Sequence, residues 1–340
     1  MVRRPSKTLP TAQLEPATTV KWDTLWEDVA EFGANSEAEH QFGADDPALP
    51  VLSHPETAAD NAFQRRAGRD VDTLTGLARN EFDNTVQTLR DAGVNVHVFE
   101  DTAEPEKPDA VFPNNWISTH HDGRVALFPM YSALRRRERR HDIVEELRKR
   151  YRVTEVIDYS RFEEKGCVLE GTGSLMLDYI NKIAYVSLSN RSNPKVIRQF
   201  TDDFGYKAVT FTSIGIDGQP IYHTNVMMCI GTNYALAGLA MIPDKAERQK
   251  VRERLEASGK EIVELEPHQV ANFASNAIEL HDAKGEKLLV ASARAVPTFM
   301  EGQRAILRRH VRLVLLRLST IEMGGGSARC MIATIHLPLL

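Results

Sequence analysis

A repeating unit constrains the fold of this chain more than any other feature of its sequence. Each unit begins with a hairpin-like pair of apolar segments, and the hairpins start at positions 116, 174, 226 and 278. Their starts are therefore 58, 52 and 52 residues apart. A helical pattern and then a short apolar strand follow each hairpin. Periodicity of this kind is typical of an array of similar structural units.

Turn and capping residues set the predicted bounds of these elements. The hairpins are predicted at 116–130, 174–189, 226–240 and 278–294. The helices are predicted at 138–151, 194–204, 244–258 and 298–310. The strands that follow them are predicted at 153–157, 207–212, 261–265 and 312–318. Further elements are an early helix at 81–91, a strand at 94–99 and a last strand at 331–337.

Pairing of that last strand with residues 49–53 would complete a fifth unit and close the array. A closed ring exposes no open sheet edge. We therefore predict an α/β fold, a five-bladed α/β propeller of ββαβ units around a central site. Residues 47–340 are expected to form this single domain. Residues 1–46 are rich in proline and polar residues and are predicted to be an N-terminal appendage, partly helical or flexible, with one amphipathic helix at 22–32.

Charge and cysteine content narrow the class of partner. Lys and Arg number 42 against 47 Asp and Glu, and a net charge of −5 gives no general attraction for nucleic acid or an anionic membrane. The three cysteines include no C-x2-C pair, so neither a metal site nor a disulfide framework is predicted. We expect a cytoplasmic protein with a small-molecule partner. Whether it forms a homo-oligomer is left open.

The residues just before each hairpin should converge on the axis of such a ring, because equivalent positions of similar blades point to one place. They include one thiol, one imidazole, one carboxylate and several amides, namely Cys330, His223, Glu170, Asn114, Asn115, Asn225 and Asn276. A cysteine nucleophile needs an imidazole to transfer protons and a carboxylate to orient that imidazole. This set predicts thiol-based nucleophilic catalysis.

Four segments carry a resemblance to a known family: PDAVFPNNW, LEGTGS, YHTNVMM and GGGSARCM. They resemble the motifs of the guanidine-modifying superfamily with the pentein fold, and are most similar to its citrulline-utilising hydrolase branch. The resemblance covers about residues 48–340. It implies a pentein catalytic domain without cofactor or metal, in which Cys330 is the nucleophile, His223 the general acid and base, and Glu170 the partner of His223. It also implies that Arg191 grips the substrate carboxylate.

Two amides depart from the pattern of relatives that act on a cationic guanidinium. Positions 115 and 225, which are commonly carboxylates in those relatives, are Asn115 and Asn225 here, and Gly173 stands where many relatives have Asp. An amide loses Coulomb attraction for a cation but can both donate to and accept from a neutral ureido group. The sequence therefore predicts a hydrolase of the ureido C–N bonds of citrulline.

Several alternatives stay open at this point. An enzyme of the same superfamily could act on arginine or methylarginine, as a hydrolase or an amidinotransferase, and a non-catalytic ring of the same architecture would be a binding protein. Outside the motifs, Cys167 and Cys229 are expected to be buried apolar residues. The arginine run at 135–140 is expected to form a solvated face with one inward arginine, and 120–121 an exposed histidine pair.

Overall fold

The computed structural model describes residues 2–4, 63–64, 71–102 and 104–340. The predicted helix at 22–32 and the strand at 49–53 lie outside these residues. The strands are β1 Val2–Arg4, β2 Val98–Glu100, β3 Ile117–Thr119, β4 Arg124–Leu127, β5 Glu155–Asp158, β6 Met176–Asp178, β7 Ile183–Ser187, β8 Lys207–Phe211, β9 Met228–Ile230, β10 Tyr234–Ala237, β11 Glu261–Glu264, β12 Ile278–His281, β13 Lys287–Ser292 and β14 Arg312–Leu316.

In the described part of the chain, eight α-helical segments accompany these strands. They are α1 Val71–Asp91, α2 His141–Arg148, α3 Gly171–Ser174, α4 Pro194–Phe204, α5 Lys245–Ala257, α6 Pro267–Ala271, α7 Glu301–His310 and α8 Ala328–Met331. Short 3₁₀ turns lie at Pro113–Asn115, Arg135–Glu138, Ser160–Lys165, Thr224–Val226, Leu239–Met241, Val296–Thr298 and Ile321–Met323. No helix in the described ranges combines the length and apolar character needed to cross a bilayer.

Four three-stranded sheets repeat one topology, in the orders β3-β4-β5, β6-β7-β8, β9-β10-β11 and β12-β13-β14. In each, the first two strands form an antiparallel hairpin and the third lies parallel to the second. A helix connects the second strand to the third, as a parallel connection requires. The predicted ββαβ unit is therefore confirmed in four blades, while β1 and β2 pair in parallel outside them.

Local signals explain why several predicted bounds agree with the structure. Helix α4 has the predicted bounds, because the Asn193 side chain caps it by accepting from the backbone N–H of Lys195 at 3.0 Å, with Pro194 as its first residue. It ends at Gly205, whose φ of +70° favours glycine. Helix α5 likewise begins after the capping side chain of Asp244.

Three predicted elements differ from the structure. The strand expected at 331–337 is not formed: 328–331 is the short helix α8, and the following residues make no regular ladder. Helix α7 begins three residues later than predicted, at Glu301, with Met300 as its N-cap. Helix α1 begins ten residues earlier than predicted, at Val71.

The first strands of successive blades lie side by side at the centre of the ring. Strand β9 contacts both β6 and β12. The second strands are buried on both faces; in β10, for example, Ala235 and Leu236 are fully buried. Parallel strands covered on both sides are commonly apolar throughout. The first strand of each blade is called its inner strand. Each inner strand begins at the axis, so the turn that precedes it lies there too.

Candidate active site

The turns that precede the inner strands are joined to one another by hydrogen bonds from blade to blade. Thr172 Oγ1 donates to the carbonyl of Asn114 at 3.0 Å, and Thr224 Oγ1 donates to the carbonyl of Ser174 at 2.5 Å. The same pattern continues onward, where Ser275 Oγ donates to Val226 O, Asn276 Nδ2 donates to Asn225 O at 3.2 Å, and Arg329 N donates to Asn276 O at 3.1 Å. The predicted convergence of these turns is thus present in the structure.

Glu170 and His223 form a buried hydrogen-bonded pair, although 53 residues separate them in sequence. His223 Nε2 lies 2.6 Å from Glu170 Oε2, and the same oxygen accepts from Arg191 Nη1 at 3.0 Å. The other oxygen, Oε1, accepts from the backbone N–H of Tyr131 at 2.9 Å. Three donors on one carboxylate leave Glu170 well satisfied despite its complete burial.

The protonation states of this pair follow from its surroundings. Burial on its own raises the pKa of Glu170, but Arg191 and the hydrogen bond from His223 outweigh it, and the pKa lies well below its ordinary value. Burial lowers the pKa of His223, against the opposing effect of Glu170. An ionised carboxylate only accepts, so the Nε2 of a neutral His223 carries the proton and Nδ1 is left as the acceptor.

Cys330 lies in the short helix α8, which follows the glycine-rich turn. Ser327 precedes the helix, and its carbonyl accepts from the backbone N–H of Cys330 at 2.9 Å. Two glycines are required here by geometry. Gly325 has φ of +82°, and a Cβ on Gly326 would lie 2.7 Å from the Phe112 ring and 3.0 Å from the Cys330 Cβ. The turn therefore brings the backbone close to the sulfur.

Two amides contact the sulfur. The Nδ2 atoms of Asn225 and Asn276 each donate to Cys330 Sγ at 3.3 Å. Both amides thus hold the sulfur in a defined position. The Oδ1 atoms of the same two amides are buried and have no hydrogen-bond partner. They are acceptors placed beside the sulfur and available for an N–H group of a ligand.

The Cys330 sulfur makes no hydrogen bond to His223 among the described residues. Asn225 connects the two groups instead. It contacts the sulfur, and it lies in the turn that directly follows His223. A thiol that attacks one face of a carbon and an imidazole that protonates the departing group need the substrate between them.

Asn115 lies between the imidazole and a buried arginine. With its amide oriented to satisfy both of its atoms, the oxygen accepts from Arg135 Nη1 at 2.8 Å and the nitrogen donates to Asn114 Oδ1 at 3.1 Å. A Cβ on Gly173 would lie 2.3 Å from the Asn115 amide and 2.9 Å from His223 Nδ1. Glycine at 173 therefore leaves the space in which Asn115 approaches His223.

Arg191 has a contact that the sequence did not predict. It is 2% exposed, pairs with Glu170, and lies over the rings of Tyr131 and Tyr222 at 4.9 and 5.5 Å. The predicted contact with a substrate carboxylate stays a prediction.

Arg135 is the principal contributor that sequence reasoning missed. It belongs to the arginine run expected to be a solvated face with one inward member, and it is that inward residue at 4% exposure. It makes a bidentate pair with Glu138, at 2.9 and 3.0 Å, and lies 3.7 Å from Asp109. Arg135 and Glu138 are three residues apart, a spacing that suits an ion pair within one helical turn. This spacing was the sequence signal that could have identified Arg135 as the inward residue.

Other minor predictions can be compared directly. Cys167 and Cys229 are buried, as expected. The prediction that both histidines at 120–121 are exposed was wrong for His120, which is fully buried with its ring centroid 4.1 Å from that of Phe204. It was correct for His121. Within the described ranges, no group of three or more His, Cys, Asp or Glu side chains has the arrangement of a metal site.

The chain resembles several solved structures. The N-terminal domain of the cyanobacterial arginine dihydrolase ArgZ, a variant bound to substrate, has a TM-score of 0.65 at 16% identity, covering 86% of this chain and 97% of that one. A variant of AgrE in complex with L-arginine has a TM-score of 0.64 at 15% identity, covering 84% and 38%. A dimethylarginine dimethylaminohydrolase variant carrying an S-methyl-L-thiocitrulline adduct has a TM-score of 0.54 at 18% identity, covering 76% and 88%. No curated protein matches.

The repeated blades and these neighbours define the pentein fold, a five-bladed α/β propeller, as the sequence predicted. Within that class, the chain belongs to the family described as N,N dimethylarginine dimethylhydrolase, eukaryotic, whose model matches residues 49–337. The prediction of an enzyme, a cysteine-dependent hydrolase of C–N bonds, is confirmed by this membership.

Proposed function

We propose that this enzyme hydrolyses the ureido group of citrulline to ornithine, carbon dioxide and ammonia. The observation that carries the proposal is the pair of amides on the Cys330 sulfur, Asn225 and Asn276, whose Oδ1 atoms have no hydrogen-bond partner. A planar ureido group offers N–H donors to such acceptors. Because these amides carry no charge, they suit the neutral ureido group of the substrate.

The charges around the site support a neutral substrate. Glu170 is neutralised by Arg191, and Glu138 is held in a bidentate pair by Arg135. Asn115, where a carboxylate would face a guanidinium, accepts from Arg135 instead. A cation next to Asn115 would therefore face the Arg135 guanidinium and an amide rather than a carboxylate at position 115.

The proposed reaction uses each residue at a defined step. Cys330 Sγ forms a bond to the ureido carbon, and its proton ends on His223. His223 returns that proton to the departing nitrogen, the C–N bond breaks, and ammonia leaves a thiocarbamate on the sulfur. Water, deprotonated by neutral His223, attacks the same carbon and breaks the C–S bond. The released N-carboxy group loses carbon dioxide, which yields ornithine.

The surrounding residues hold this chemistry in place. Glu170 fixes the tautomer and orientation of the imidazole, as the third member of such a set does. Asn225 and Asn276 stabilise the thiolate before attack. Asn114 and Asn115 are proposed to contact the reacting group, and Arg191 the substrate carboxylate. No cofactor takes part in this scheme. We further propose that residues 47–340 form a single catalytic domain and that the protein is located in the cytoplasm.

A guanidino substrate is the second candidate. The family match to dimethylarginine hydrolases favours arginine or methylarginine, and two of the structural neighbours are described with arginine or as an arginine dihydrolase. The same thiolate and imidazole would serve this reaction, with an amine or ammonia leaving first. The two candidates differ in the charge that the pocket must accept.

The deciding experiment incubates the purified enzyme with citrulline, arginine or methylarginine and follows ornithine, citrulline and ammonia. We expect citrulline to give ornithine and ammonia in equal amounts. Turnover of arginine or methylarginine without turnover of citrulline would reject the ureido assignment.

Substitution of the amides tests the charge argument. Asn115→Asp and Asn225→Asp should shift the kcat/KM ratio of arginine to citrulline upward by roughly tenfold, since one new ion pair of about 1.4 kcal/mol has that effect. Because Arg135 would neutralise a carboxylate at 115, Asn225→Asp should give the larger shift. Asn233→Asp, at an exposed residue that pairs with Lys287, is the matched control. An unchanged ratio in both site variants would show that the amides do not set specificity.

A further inference from the structure

A second cavity, of about 500 Å³, lies at the far ends of the inner strands. The candidate active site precedes β6, β9 and β12, whereas this cavity is lined by those strands themselves and by the residues that follow them. Its wall includes Asp178, Tyr179, Ile230, Glu279, His281 and Arg329. The ring therefore has the reacting thiol at one end of its inner strands and a separate rear cavity at the other.

Arg329 carries a positive charge in the wall of this rear cavity. The residue is 5% exposed, and its Nη1 donates to the carbonyl of Ile332 at 3.1 Å. Across the described part of the chain, no carboxylate lies within 4.0 Å of its guanidinium. A buried guanidinium without a counterion is strongly disfavoured, so the cavity is arranged for an anionic partner.

Two acids also lie in the cavity wall. Asp178 pairs with Lys260 at 3.0 Å. Glu279 Oε1 accepts from the backbone N–H of Thr232 at 3.0 Å, while its Oε2 is buried without a hydrogen-bond partner among the described residues. Neither carboxylate makes an ion pair with Arg329.

The remaining polar side chains of the wall include imidazoles. Four histidines line the rear cavity, namely His97, His121, His281 and His336. The His336 ring stacks on Tyr179 with centroids 3.9 Å apart and lies 5.0 Å from the His121 ring. Imidazole N–H groups and a guanidinium together suit an oxyanion.

We propose that the rear cavity binds a small oxyanion, a phosphate or a carboxylate, through Arg329, and that the bound anion slows reaction of the adjacent Cys330. Arg329 precedes Cys330 in α8, and its charge attracts the thiolate. An anion on Arg329 cancels that attraction. The coupling rests on the proposed nucleophilic role of Cys330, whereas the binding does not.

Binding is tested by isothermal titration calorimetry of the full chain with phosphate, citrate and acetate at constant ionic strength. Wild type is expected to bind phosphate or a carboxylate, and Arg329→Gln should weaken that binding roughly tenfold or more, the loss of one charge-assisted contact. Comparison of phosphate with citrate and acetate distinguishes the two kinds of oxyanion. Absence of binding by all three to wild type would overturn the proposal.

A rim substitution keeps the test valid if Arg329→Gln does not fold. His121 is exposed and lines the cavity, so His121→Glu should fold and repel the anion, while His121→Gln should bind nearly as wild type does. Equal affinities in wild type, Arg329→Gln and His121→Glu would place the anion elsewhere and refute the site.

Coupling is measured as the rate at which iodoacetamide alkylates Cys330, located by peptide mass spectrometry. The saturating anion should slow this rate in wild type and leave it unchanged in Arg329→Gln. Binding without slowing would refute the coupling alone. Slow labelling of Cys330, no faster than that of Cys167 or Cys229, would contradict the proposed function and leave the anion site standing.

Discussion

Glu170 is the residue on which the proposed proton transfers depend most directly. Its Oε2 accepts from both His223 and Arg191, and because its pKa is depressed it is ionised at neutral pH. A fixed negative charge beside the imidazole stabilises the imidazolium that forms when the thiol loses its proton. It also holds Nδ1 toward Gly173 and Asn115, where the substrate is proposed to lie.

Substitution of Glu170 by Gln should lower kcat by roughly 10²- to 10⁴-fold, because the amide allows the wrong tautomer of His223 and no longer stabilises its charged form. Arg191 would lose its buried ion pair with Glu170, so the free energy of unfolding should fall by about 3–5 kcal/mol. Steady-state kinetics and urea unfolding measure the two effects separately.

Glu163→Gln is the matched control for this substitution. Glu163 also accepts from a backbone N–H, that of Met130, and pairs with an arginine, Arg139, but it does not contact an imidazole. It should lose stability while retaining kcat. If both variants lost kcat equally, the effect of Glu170 would be structural and its orienting role would be contradicted.

Among the secondary-structure elements, those with local signals were predictable and those fixed by distant contacts were not. Helix α4 has its cap, its first proline and its terminal glycine within the sequence, so its bounds were predicted correctly. The segment after Gly326 contains apolar residues typical of a strand. Its first turn is nevertheless helical, because Arg329 N bonds to Asn276 and α8 closes on Ser327. Contacts between residues this far apart in the chain produce no periodic pattern in the sequence.

The same distinction holds for the candidate site. Repeat position predicted that Cys330, His223, Glu170 and the asparagines occupy the turns at the axis. It did not predict that Arg191 binds Glu170 or that Arg135 binds Asn115, because neither partner is near in sequence. Periodicity predicts where a backbone goes, whereas side-chain pairing depends on the distances between blades.

The turn that leads into α8 contains a buried acid that should make stability depend on pH. Glu322 is 3% exposed and accepts from Ser327 Oγ at 2.7 Å, and burial raises its pKa to about 7. Since an unfolded glutamate titrates near 4.5, the folded state holds the extra proton between these values. Stability contributed by this group is therefore full at low pH and is lost as pH rises toward 7.

Glu322→Gln removes this titration while keeping an oxygen for Ser327. The variant should equal wild type below about pH 4 and exceed it at pH 8 by on the order of 3 kcal/mol, the value of a pKa difference of this size. Urea unfolding at several pH values gives the comparison, with Glu253→Gln on the exposed face of α5 as control. A difference between variant and wild type that stays constant with pH would show that Glu322 does not titrate in the folded protein.

For the whole molecule, the hydrogen bonds between successive turns connect the blades at the axis. Thr224 has a central place among them, since its Oγ1 donates to Ser174 O in the preceding blade and accepts from Ser187 N at 2.8 Å. It is also the residue after His223, so the joint between two blades and the position of the imidazole share one turn. Blade packing and catalysis should therefore change together.

Thr224→Val tests this coupling with a side chain of similar shape. It leaves the Ser174 carbonyl and the Ser187 N–H buried without a partner, and the free energy of unfolding should fall by about 2–4 kcal/mol. We expect kcat to fall with it, because His223 loses its fixed position relative to Glu170 on the other blade. Thr154→Val is the control: Thr154 Oγ1 donates to Asp122 O within one blade, so stability alone should respond. Equal kcat in Thr224→Val and wild type, at a temperature where both are folded, would show that the joint between blades does not position the imidazole.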